Sequence, residues 1–237
     1  RVMISSSSDF RTWSIPKPLL DSQFGKYSEL VLTAAGFHNA RDTLVAYIGE
    51  YEYKQNSLQN KKRSPDDSGH FGTTLCAMVT KDGIEWQEPL NLGIPIVPNH
   101  GPQQISSGRL IISGNISFPY TDDALGLSKW IMTGIYPNEM ATNIVDDSES
   151  FRIVQQHAGW PVGLCEGSFF QTDDGILHMM LRSNTEKLWI TRSRDDGTTW
   201  SAPQPAEFSD NATKFHFGRL PDRRFYYVGC PDVNPMW

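Results

Sequence analysis

Cysteine is scarce in this chain of 237 residues, with three in all, Cys76, Cys165 and Cys230. An odd number without ligand spacing argues against a disulfide framework or a zinc site, and buried free thiols are the expectation. Histidines and cysteines form no pair at metal-binding distance along the sequence, so neither metal nor other cofactor is expected. Long apolar runs are also missing, and no stretch approaches the length of a membrane-spanning helix. Positive charge is not in excess: 21 Lys and Arg stand against 27 Asp and Glu, a net charge of −6. That removes the basic footprint of a nucleic-acid binder. No signal peptide is visible. The chain opens on Arg1-Val2-Met3-Ile4, which reads as the interior of a strand, and stops at Pro235-Met236-Trp237. A segment of a longer protein is expected, and processing would hide any export signal.

Aromatic residues and glycine, by contrast, are plentiful, and 38% of residues are hydrophobic. This suits one sizeable folded domain spanning residues 1–237 rather than a disordered chain. The most informative stretch is Cys165–Trp200, which reads as four short strands in a row. Gly167–Gln171 runs into Asp173-Asp174-Gly175, a hairpin turn signal. Ile176–Leu181 is an apolar run of strand length. Leu188–Arg192 follows the polar turn Ser183–Lys187. Then comes Ser193-Arg194-Asp195-Asp196-Gly197-Thr198-Thr199-Trp200. There Asp195 can accept backbone N–H groups across its own turn, Gly197 supplies a permissive backbone, and Trp200 can fold back as a plug. One four-stranded sheet cannot cover both of its faces, so several are expected.

Shorter versions of that turn recur. Asp9 precedes Trp13 near the start, and Asp82-Gly83-Ile84-Glu85-Trp86 closes a group formed by Ser28–Thr33, Thr43–Tyr53 and Thr73–Thr80. The three aspartates are 73 and 113 residues apart, the second interval spanning two sheets. Between them, Ile105–Asn115 reads as a hairpin, Trp130–Tyr136 continues its sheet and Phe151–Gln155 ends it, with no such turn marking this sheet. Lys214–Val228 is a last hairpin. Lys54–Gly69, with Lys61-Lys62-Arg63, reads as a solvated loop insertion.

The pattern S-x-D-x-G-x-T-W at Ser193–Trp200 resembles the Asp box of sialidases and related β-propeller proteins. Glu166 opening an inner strand, the Asp174-Gly175 turn and Arg182 closing the next strand are also similar to the sialidase family. The resemblance implies an all-β fold of the sialidase propeller type. Six blades are expected in the whole protein, of which this chain covers roughly three complete and two partial ones. A β-sandwich is the runner-up architecture. In a propeller the inner strands line the channel, and a pocket forms where they begin and their neighbours end.

That geometry selects the candidates. Glu166 would be a general base or the partner of a nucleophilic tyrosine, the role its counterpart has in sialidases, or a structural carboxylate paired with Arg182. Arg182 suits a planar carboxylate through two parallel bonds; in sialidases an arginine at this place holds the substrate carboxylate. His216, set opposite Phe215 and Phe217 by alternation, is either a proton shuttle or a packing residue. Glu29, His100, Gln103, Gln104 and Lys214 stand at other inner-strand starts. His38, Tyr51, His70 and Tyr120 are placed in loops, and Trp160 is a candidate sugar platform. The resemblance implies further groups, an acid/base aspartate and a nucleophilic tyrosine, outside this segment.

The function implied is that of an exo-acting glycoside hydrolase on a terminal acidic sugar of a glycan, secreted or periplasmic, and monomeric. Alternatives are a non-catalytic glycan-binding propeller, or a propeller polysaccharide lyase or rhamnosidase using His216.

Overall fold

A computed structural model describes residues 1–53, 71–136 and 164–231. All of its regular elements are strands, grouped in five antiparallel sheets that follow one another in sequence. The first pairs β1 (Val2–Ile4) with β2 (Lys17–Leu20). The second runs β3 (Val31–Ala40), β4 (Thr43–Glu52), β5 (Phe71–Thr80), β6 (Leu90–Asn91). The third contains β7 (Gln103–Gln104), β8 (Leu110–Ile111) and β9 (Tyr120–Thr121), extended by bridges Tyr120–Ile131 and Ser117–Gly134. The fourth is β10 (Cys165–Gln171), β11 (Leu177–Arg182), β12 (Lys187–Ser193) and β13 (Gln204–Ser209). The fifth pairs β14 (His216–Arg219) with β15 (Phe225–Val228).

How these sheets pack follows from strand alternation, which sends successive side chains to opposite faces. On β11, Leu177, Met179 and Leu181 enter a core with Ile111 and Phe118 of the third sheet, whereas Met180 enters one with Phe215 and Phe217 beside the fifth. On β4, Val45 and Tyr47 pack with Ile94, Ile96 and Ile112, whereas Ile48 packs with Val2 and Leu20. The second, third and fourth sheets are therefore covered on both faces by their neighbours in sequence. A two-sheet sandwich would cover one face of each, so the sandwich alternative is set aside. Consecutive sheets facing one another in chain order are the blades of a β-propeller. Double coverage is also why apolar side chains fall on both faces of β11, with Met179 and Met180 buried side by side in the sequence.

The aspartate turns act as expected. Asp195 accepts the Thr199 amide at 2.9 Å, the Ser193 hydroxyl accepts the Gly197 amide at 2.8 Å, and the Trp200 indole donates to the Gly197 carbonyl at 3.1 Å. Gly197 is at φ +81, and a Cβ there would meet Ile111 at 2.7 Å. Asp9 and Asp82 each accept two amides in the same way. Several readings are corrected. The fourth strand of the central sheet is β13, beyond Trp200, and the octapeptide is its connection. The inner strand expected at Ser28–Thr33 begins at Val31. The third sheet does carry an aspartate turn: Asp123 accepts the Leu125 and Leu127 amides and the Ser128 hydroxyl, and Trp130 donates to Gly126 O at 3.2 Å. Asp123 and Trp130 are seven residues apart instead of five, which masks the motif. Trp86, Trp130 and Trp200 each pack into the core shared with the preceding sheet. Trp13 is not a plug; it is 58% exposed. Phe151–Gln155 and Lys54–Gly69 lie outside the described residues.

Candidate active site at the propeller mouth

The starts of β10, β12 and β14 and the ends of β11, β13 and β15 lie along one edge of the fourth and fifth sheets. There Cys165 pairs directly with Arg182, after which the register shifts before Ser168. The shift is a bulge, and it leaves Glu166 with a backbone of its own, at φ +50. Such a conformation is costly for a residue with a Cβ and collects at functional sites. The bulge turns the Glu166 carboxylate onto Arg182: Oε2 lies 2.7 Å from Nη1. The two atoms form an ion pair without the alignment of a hydrogen bond. Gly167 follows by necessity, since a Cβ there would run into the Ser113 hydroxyl and the Met179 sulfur.

Arg182 is 30% exposed and Glu166 19%. Burial works to discharge the guanidinium, but Cys165 and Glu166 outweigh it and hold its pKa above the ordinary value. Its Nε donates to Cys165 Sγ at 3.3 Å. Lys214 brings a second cation, 3.8 Å from the other Glu166 oxygen. Asp210, on the turn between β13 and β14, is 1% exposed. Burial pushes its carboxyl above the ordinary range, opposed by the neighbouring turn amides and by Arg182.

A second cluster lies where His100, in the bend before β7, meets β14 and β15. The rings of His100 and His216 meet edge to face with centroids 4.9 Å apart. His216 Nδ1 is 3.3 Å from the Tyr226 hydroxyl, whose ring stacks on it. Burial lowers the pKa of His216. Burial also depresses His100, to about 4, with the Gly101 carbonyl opposing and His216 assisting. The His100 Nδ1 lies 2.8 Å from Gly101 O, and its Nε2 is buried without a hydrogen bond. His216 borders a cleft of about 540 Å³ that also touches Gln103, Phe170 and Tyr226.

The other candidates are dispersed. The Gln103 amide is occupied in joining three inner strands, donating to Phe169 O at 3.2 Å and Phe217 O at 3.3 Å. Gln104 ties its own hairpin through Gly108 O. Glu29 is exposed at a bridge to Phe24. The buried carboxylate nearby is Glu52, which accepts the amides of Lys26, Tyr27 and Ser28. His38, Tyr51 and Tyr120 belong to β3, β4 and β9 rather than loops. Trp160 and His70 lie outside the described residues. Asp210 was missed in the sequence, although Asp210-Asn211-Ala212-Thr213 repeats the D-x-x-T spacing of Asp9–Thr12.

Blades closed by aspartate turns, with a strand-opening glutamate paired to a strand-closing arginine at the mouth, define a sialidase-like propeller. The chain belongs to the BNR repeat-like domain family, whose profile matches residues 2–233. No curated protein matches it by sequence. Among solved structures it is similar to a protein of unknown function from Dyadobacter fermentans, with a TM-score of 0.61 at 18% identity over 95% of this chain and 63% of that one. The intramolecular trans-sialidase of Ruminococcus gnavus, in complex with oseltamivir carboxylate, gives 0.60 at 13% identity, over 92% of this chain and 67% of that one. Trypanosoma rangeli sialidase, in complex with the inhibitor DANA, gives 0.55 at 14% identity, over 93% and 37%. The chain thus spans 63% of the first of these structures and about a third of the last. Among the described residues no helix is long and apolar enough to cross a membrane.

Proposed function

We propose that this chain forms part of an exo-acting glycoside hydrolase that cleaves a terminal acidic sugar from a glycan. The observation that carries the reading is the Glu166–Arg182 pair on a bulge at the mouth. A carboxylate on the sugar competes with Glu166 for the guanidinium, and Lys214 adds a second cation within reach. Arg182 holds the acid by two parallel bonds. Displaced from Arg182, Glu166 is free for proton transfer, directly or through a nucleophile. Glycosidic cleavage ordinarily needs two protonatable groups flanking the bond. Glu166 is one, and the other belongs to the remainder of the active site. The neighbours with sialidase names lend fold-level support only. The reading carries with it a single domain over residues 1–237, a monomeric state, a secreted or periplasmic location and a glycan as partner.

A second reading, a lyase or rhamnosidase, rests on His216. Burial lowers the pKa of its imidazole and so favours the neutral form that a base requires, and the Tyr226 hydroxyl lies beside it. A panel of chromogenic sialosides, uronides and rhamnosides separates the two. Release from sialosides, lost in Arg182→Ala, supports the first. Release from rhamnosides or unsaturated products from uronides, lost in His216→Ala, supports the second. No turnover with retained glycan binding points to a non-catalytic propeller.

A further inference from the structure

Cys165 stands directly opposite Arg182 across β10 and β11. Residues so paired project from the same face of an antiparallel sheet, with side chains in reach of each other. Here the contact is made: Arg182 Nε donates to Cys165 Sγ at 3.3 Å. Neither reading of the function uses this bond. A guanidinium carries five N–H donors in a rigid fork. In Arg182 the Nε–H is taken by the sulfur, and Nη1 faces Glu166 Oε2 at 2.7 Å. The first tie follows from the strand register and the second from the bulge that begins one residue later. The planar group is thereby held at two of its three nitrogens.

We propose that Cys165 is a positioning residue for Arg182, its thiol occupying Nε so that the Nη1–Nη2 end of the fork is the edge that receives the carboxylate of an acidic sugar. The proposal rests on the reading of Arg182 as the anchor for that sugar. A carboxylate can form two parallel bonds along the Nε side of a guanidinium or across its outer end. With Nε engaged, the outer end remains, and Glu166 already sits on one of its nitrogens. An arriving carboxylate displaces Glu166 from Nη1 while the sulfur keeps its hold on Nε. The fork therefore does not turn when its ion-pair partner leaves. A thiol suits this task because it is a weak, neutral acceptor. It orients the cation without cancelling the charge that the sugar must find, as a carboxylate at position 165 would. Alanine there would leave the Nε–H of a side chain only 30% exposed without its acceptor.

The test has two arms, both on the full chain. The first is calorimetric titration of N-acetylneuraminate, with N-acetylglucosamine as the neutral control. Cys165→Ala should weaken N-acetylneuraminate about tenfold, the loss of a hydrogen bond from a charged donor. Cys165→Ser, whose hydroxyl also accepts, should recover most of that loss, and Cys165→Ala should cost nothing further in an Arg182→Ala background. The second arm needs no ligand and no change at Cys165: the pH midpoint of its alkylation by uncharged iodoacetamide, followed on the peptide that carries it. A guanidinium at the sulfur favours the thiolate, so the midpoint should rise in Arg182→Ala, where Glu166 and Lys214 remain. Parent-like affinity in Cys165→Ala with loss in Arg182→Ala overturns the proposal and spares the anchor. So does a Cys165→Ser variant as weak as Cys165→Ala, and so does an unmoved midpoint in Arg182→Ala. Equal affinity of Arg182→Ala and the parent overturns the reading of Arg182 itself.

Discussion

Glu166 and Arg182 lie 2.7 Å apart although the backbone between Cys165 and Ser168 must bulge to bring them together. Without the extra residue, Glu166 would follow strand alternation away from the face that Cys165 and Arg182 share. The glutamate at φ +50 thus trades backbone comfort for a defined position at the mouth.

Coverage of both faces of β11 has a direct consequence. Met179 and Met180 are adjacent, point to opposite cores and are 0% and 1% exposed. Met179→Ala and Met180→Ala should each cost about 2–4 kcal/mol in urea unfolding. A loss at one position with none at the other would indicate a sheet covered on a single face.

The aspartate turn of the third sheet should be as important as that of the fourth. Asp123→Ala and Asp195→Ala each orphan several donors, and each should lower stability by about 1–3 kcal/mol. An unchanged urea midpoint for Asp123→Ala would show that its turn is ornamental.

His100 gives a pH dependence of known sign. Its folded pKa is about 4, below the 6.5 of an unperturbed histidine. Below about pH 6.5 the unfolded chain takes up a proton that the folded state refuses, so stability falls with pH until about pH 4. The full effect is on the order of 3 kcal/mol. His100→Gln should flatten this part of a stability profile measured between pH 7 and 4. An unaltered slope would mean that His100 titrates freely when folded.

Much of this architecture was legible from Cys165–Trp200. Turn chemistry at Asp195, Gly197 and Trp200 is local, and local rules expose it. The apolar run Leu177–Leu181 announced burial but could not say that two different sheets supply it. The Asp123 turn escaped because two added residues separate its aspartate from Trp130. For the site, Glu166 stood out as a charge opening an inner strand and Arg182 as one closing the next. Asp210 did not, because its burial arises from the packing of three segments remote in sequence. Gln103 shows the reverse: its place at an inner-strand start was readable, but not that the backbones of β10 and β14 would engage its amide.

The most direct measurement is steady-state hydrolysis of a chromogenic sialoside by the whole protein and by Arg182→Ala and Glu166→Gln. Arg182→Ala should raise KM at least tenfold with a smaller change in kcat, and Glu166→Gln should lower kcat by about a hundredfold or more with KM nearly constant. Parent-like kinetics in both variants would contradict the assignment of the mouth as the catalytic site.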